Sequence, residues 1–225
     1  MTKRIIFAAV SILLVIAGAY AAFFIAPNER SMGVVQRIFY FHVGSAWAGM
    51  DAFLLCFIAN LLYVWKRQQK YDSIGVASAE VGLVLTTVVL ITGPIWAKPA
   101  WGIYWTWDAR LTSTFVLWLL YISYLLLRSL IEEPERRALL SSLFGIFAFI
   151  DVPLVFFSIR WWRTQHPSPV IMGGPGSGLD PTMNKVFFFN VLVMHVFALF
   201  LIVERYILEK TKNEVDILQR EAEAQ

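Results

Sequence analysis

Six apolar runs, each about as long as a bilayer crossing, decide what this chain of 225 residues can be. A hydrocarbon layer of ~30 Å takes about 20 residues of helix. The runs near 5–26, 41–65, 74–96, 111–130, 138–161 and 186–208 meet that length. They are continuous rather than alternating, so they read as helices and not as barrel strands. Charged residues make up 16% of the chain and hydrophobic residues 58%, whereas a soluble domain carries about 25% charge. The expected fold class is therefore all-α and integral to the membrane. We expect one polytopic domain over residues 1–225, built as a six-transmembrane-helix bundle, with a charged tail at 209–225 that is either helical or disordered. Ala19-Tyr20-Ala21 resembles a leader cleavage site. The run continues through Phe23-Phe24-Ile25, however, and reads as a retained first helix.

Six crossings sort the charges by side. Lys3, Arg4, Lys66, Arg67, Lys70, Arg128, Arg136, Arg137, Arg205, Lys210, Lys212 and Arg220 fall on one side. Arg30, Arg37, Lys98, Arg110, Arg160, Arg163 and Lys185 fall on the other. The positive-inside rule then puts both termini in the cytoplasm. A net charge of +3 without a basic, aromatic-interleaved stripe gives membrane lipid as the surroundings and no nucleic acid as a partner. The one cysteine, Cys56, excludes an internal disulfide, a Cys-x-x-Cys pair and covalent c-type haem. No phosphate-binding Gly-x-x-x-x-Gly-Lys-Ser/Thr occurs, nor a nucleophile triad, zinc spacing or paired carboxylates. The chain is expected not to be an enzyme.

On the outer side, Trp96 to Thr112 reads as a loop with four tryptophans and Tyr104. Indole rings favour the membrane interface, so an aromatic belt accounts for part of this. The density exceeds what anchoring needs and suggests a surface for a large flat aromatic ligand. Asp108 precedes an apolar run, where a carboxylate caps a helix N-terminus. His42 and His166 flank this loop in sequence and share its side. Two imidazoles beside an aromatic platform suit a bis-histidine haem iron, and the cations Arg37, Arg110, Lys98, Arg160, Arg163 and Lys185 suit its propionates. Either histidine alone would equally suit an ordinary interfacial hydrogen bond. His195 lies deep in the last span and reads as a histidine bonded to a neighbouring helix. Asp51 lies two and a half turns past His42, on the opposite helix face, and reads as pairing between helices or meeting a partner subunit. Asp151, before Pro153, marks a kink. The stretch Gly173 to Gly178 reads as a flexible outer loop.

Trp101-Gly102-Ile103-Tyr104-Trp105-Thr106-Trp107-Asp108-Ala109-Arg110-Leu111-Thr112 resembles the Trp-rich "WWD" signature of haem-handling proteins of cytochrome c biogenesis. With six spans, His42 before the signature and Trp-Trp-Arg-Thr-Gln-His166 after it, nearly the whole chain resembles the CcmC family. The resemblance implies that His42 and His166 ligate the iron of a non-covalent haem b. It implies that Trp101, Trp105 and Trp107, with Asp108, bind the macrocycle edge, and that Arg37 and Arg110 assist handling. It further implies a bacterial inner membrane, the partners CcmA, CcmB and CcmD, and delivery of haem to the periplasmic chaperone CcmE. Tyr104 stands where that signature commonly has Trp and keeps an aromatic face. Three other functions remain open at this point: a b-type electron-transfer cytochrome, a subunit that itself translocates haem, and an assembly scaffold whose Trp-rich loop only grips a partner protein.

Overall fold

The computed structural model describes residues 2–166 and 178–223, and the stretch from Gly173 lies almost wholly outside them. The described residues are helical, with six segments long and apolar enough to cross a membrane. The first is α1, Thr2–Tyr20, extended by a π-helical turn at Ala21–Ile25. A 3-10 turn at Val34–Arg37 leads into α2, Ile38–Lys66. Next come α3, Gln69–Trp101, and α4, Ala109–Leu130. The fifth crossing is two helices, α5, Pro134–Ala148, and α6, Asp151–Trp161. The last is α7, Pro181–Glu223. The break between α5 and α6 falls at the kink expected from Asp151 and Pro153. Pro153 has no N–H for the Phe149 carbonyl, and Val152 N–H donates to it instead at 3.0 Å.

Helix α2 is the hub, packed against α3, α5 and α7. Phe53 of α2 stacks on Tyr121 of α4 with ring centroids 3.7 Å apart, in a core with Cys56, Leu117, Tyr124 and Val155. At one end of the bundle, ion pairs tie the helices together, from a buried one to an exposed one. Arg128 of α4 makes a forked pair with Asp72 of α3, at 2.5 and 2.9 Å. Arg205 of α7 bridges Glu80 of α3 and Glu209, and Arg4 of α1 pairs with Glu204. Either charge of the Asp72–Arg128 pair left alone there would cost several kcal/mol, about 3–5 by analogy with broken buried pairs, so the two are held as one unit.

Two expectations change. Helix α3 does not end near residue 96: it continues through Pro94 and Pro99 to Trp101. The stretch from Trp96 to Trp101 is thus helix, not loop. Prolines are tolerated in membrane helices because neighbouring groups meet the freed carbonyls. The helix stops at Gly102, whose φ of 77° is the left-handed conformation glycine adopts freely, and whose N–H donates to Lys98 O at 2.9 Å. The tail is not separate either. Helix α7 runs unbroken to Glu223, Glu209 is buried, and Asn213 donates to Ser73 of α3.

Candidate functional site

At the opposite end, α2, α3, α4 and α6 enclose a partly open cleft with a cavity volume of about 130 Å3. His42 and His166 both line it, with Trp96, Trp101, Trp105 and Arg110. The two histidines, separated by more than a hundred residues, thus meet in one site.

His42 lies one turn inside α2, only 8% exposed, rather than at its edge. Its Nδ1 is 2.9 Å from the Thr92 hydroxyl. That hydroxyl already donates to Val88 O at 2.7 Å, so toward the imidazole it accepts, and Nδ1 carries the proton. The lone pair is therefore on Nε2. A ring nitrogen held by such a bond is the usual arrangement behind a metal-ligating histidine. The next residue, Gly93, lets the helices approach: a methyl group there would sit 3.3 Å from His42 Cε1. Trp96 packs beside the same imidazole, ring centroids 5.8 Å apart.

Asp108 caps α4 as expected, its Oδ1 accepting from the N–H groups of Arg110 and Leu111 at 3.0 Å each. Its second oxygen does more. Oδ2 accepts from Thr106 Oγ1 at 3.1 Å and from Gln165 N–H at 3.0 Å. One carboxylate thereby joins the Trp-rich loop to the segment bearing His166. Trp101 meets His166 edge-on at 6.1 Å between centroids.

The other residues singled out in the sequence are placed unequally. Trp107 is turned away from the cleft, 72% exposed. It packs against Trp105 and Phe115, beside an outward apolar groove shared with Trp118. Arg37 does not line the cleft. One of its nitrogens donates to Asn28 Oδ1 at 3.1 Å, and its Nε is buried without a partner among the described residues. Lys98 closes the end of α3 by donating to Gly102 O at 2.7 Å. Arg160 lies over Phe156 and Phe157, and Lys185 is exposed. Sequence reasoning missed Thr92 and Gly93. The signal was a hydroxyl and a glycine beside Pro94, a third of a span from the outer end.

Over residues 1–225 the chain matches the family model described as Heme exporter protein C, CcmC. The chain belongs to that family. It is 34% identical over 218 residues to Heme exporter protein C of Bradyrhizobium diazoefficiens, covering 96% of this chain and 80% of the relative. With Heme exporter protein C of Escherichia coli K12 it shares 31% identity over 177 residues, 78% of this chain and 70% of the relative. A putative cytochrome c biosynthesis ccmC-like mitochondrial protein of Marchantia polymorpha is 32% identical over 156 residues, 69% of this chain and 66% of its own length. CcmC membership and the six spans make this a multi-pass, haem-handling membrane protein of cytochrome c biogenesis.

The cleft fits that cargo chemically. Its walls are aromatic, and its two histidines come from α2 and from the loop after α6. The indole N–H groups of Trp96 and Trp105 are buried with no acceptor among the described residues. The guanidinium of Arg110 makes no hydrogen bond or ion pair among them either. Buried donors left unpaired are costly, and a ligand with an apolar plane and carboxylate edges supplies what they lack.

Proposed function

We propose that this protein holds haem b at the periplasmic face of a bacterial inner membrane and hands it to the chaperone CcmE, working with CcmA, CcmB and CcmD. The chain makes and breaks no covalent bond in this reading. His42 Nε2 and His166 supply the axial bonds, Trp96, Trp101 and Trp105 the apolar walls, and Arg110 a cation for a propionate. The cytoplasmic side is the end with Lys3, Lys66, Arg67, Lys70, Arg136 and Arg137, which supports an outward-facing cleft. The observation that carries the reading is the orientation of His42. Its Nδ1–H is committed to Thr92, which leaves an iron-binding lone pair inside an aromatic cleft shared with His166. By contrast, both ring nitrogens of His195 are engaged, by Val191 O at 2.7 Å and Asp51 at 3.0 Å. That favours the presentation site over an intramembrane cytochrome.

Mixing the haem-loaded protein with purified haem-free CcmE tests hand-over. Haem moving to the chaperone, read from the visible spectrum after separating the two, is the expected result. Haem that stays put, yet reduces and reoxidises rapidly with a quinone, would instead mark an electron carrier. The role of Thr92 is tested alongside. Thr92→Val removes the acceptor for His42, and haem loss to an acceptor globin should accelerate by about 10- to 100-fold, as for outer partners of metal ligands. Thr92→Ser keeps the oxygen and should stay near wild type. Equal behaviour of the two variants would contradict the orientation assigned to His42.

A further inference from the structure

The polar pair formed by Asp51 and His195 faces outward at the centre of the membrane. Helix α2 is 29 residues long, and Asp51 sits about 20 Å from either end at 1.5 Å per residue. Its side chain is 66% exposed and that of His195 31%. Around them runs an otherwise apolar face. Leu54, Ile58 and Leu61 continue the stripe on α2, and Phe188, Leu192 and Leu199 the one on α7, all exposed. These spacings repeat at three and four residues, so each set shares one side of its helix.

The hydrogen bonds fix what the pair asks of its surroundings. Val191 O can only accept, so His195 Nδ1 donates to it. The contact between His195 Nε2 and Asp51 Oδ2 then holds one proton. Whichever atom carries that proton, the pair as a whole is neutral. It needs no counter-charge. It does leave Asp51 Oδ1 as an acceptor with no donor among the described residues. Lipid tails offer none, and a polar group facing them is unfavourable. Across membrane helices, the groups that answer such an acceptor are Ser, Thr, Asn or Gln side chains.

We infer that the α2–α7 face around Asp51 is a docking surface for a transmembrane helix of another subunit, which presents an uncharged side-chain hydrogen-bond donor to Asp51 at mid-bilayer depth. The surface is separate from the cleft, and the inference does not depend on the haem reading.

The test uses the complete complex in its native membrane. A photo-cross-linking residue is placed at Ile58, and at exposed Val84 of α3 for comparison. The Ile58 probe should join a transmembrane segment of a different polypeptide. Mapping should find a Ser, Thr, Asn or Gln within a turn of the depth of Asp51. Asp51→Leu should lower that yield roughly three- to tenfold, the worth of one interhelical hydrogen bond in lipid, while Asp51→Asn, which keeps an outward oxygen, stays within about twofold. Leucine suits a lipid-facing position, and an unchanged melting temperature and protein level in the membrane show that the variant has folded. Adducts with lipid alone, adducts with a second copy of this chain, a segment without a donor, or equal yields for Asp51→Leu and wild type would each overturn the inference.

Discussion

Replacing either His42 or His166 by alanine should convert a six-coordinate low-spin haem spectrum into a five-coordinate or empty one. Both side chains line one cleft, and iron held by two imidazoles depends on each of them. The loss should exceed the roughly 10- to 100-fold that follows from removing an outer partner of a metal ligand. The two variants should differ in kind. His42 is buried against Thr92, Trp96 and Gly93, so its removal leaves a cavity inside the bundle. His166 is half-buried on a loop, so its removal should leave thermal stability almost unchanged. Added imidazole should restore the low-spin bands in His42→Ala, because the vacated space is ring-sized and still has the Thr92 oxygen to orient the guest. A low-spin spectrum that survives both substitutions would remove these histidines from the iron.

The second large effect is expected at Asp108, where one carboxylate performs two tasks. Asp108→Ala removes the cap of α4, worth about 0.5–2 kcal/mol, together with the bonds to Thr106 and Gln165. Asp108→Asn separates the tasks. Asparagine caps helices as well as aspartate does, but its amide nitrogen cannot accept a hydrogen bond from Gln165 N–H. The variant should keep its melting temperature and still lose low-spin haem, because the His166 segment is no longer tied beside the Trp-rich loop. Its spectrum should resemble that of His166→Ala more than that of His42→Ala. A wild-type spectrum in Asp108→Asn would reduce Asp108 to a helix cap.

The spans were readable in the sequence because each is a long apolar run, and the cap at Asp108 and the break before Pro153 because backbone chemistry demands them. That His195 bonds to another helix and that Asp51 seeks a partner followed from the cost of polar groups in lipid, but that they pair with each other and face outward shows only in the structure. The third span reads as ending at residue 96, where the apolar run gives way to a Trp-rich stretch with charges, and local signals do not include the neighbours that let a membrane helix continue through Pro99 to Trp101. The course of the tail was hidden for a similar reason. Its charges read as solvated, whereas Glu209 is buried beside Arg128 and Arg205. Within the site, the two histidines could be grouped by side, but composition treats all four tryptophans of the loop alike. Which of them line the cleft depends on the turn after Gly102, and this sends Trp107 outward. Thr92 was invisible because a threonine in a membrane helix ordinarily bonds its own backbone. Thr92 does so through its hydrogen, and receives His42 through its oxygen.

An experimental structure of the haem-loaded protein tests the central claim most directly. The account predicts iron bonded to His42 Nε2 and to a ring nitrogen of His166, with Trp101 and Trp105 against the macrocycle and the Thr92 contact intact. Haem lying instead in the outward groove between Trp107 and Trp118, or ligated by His195, would contradict it.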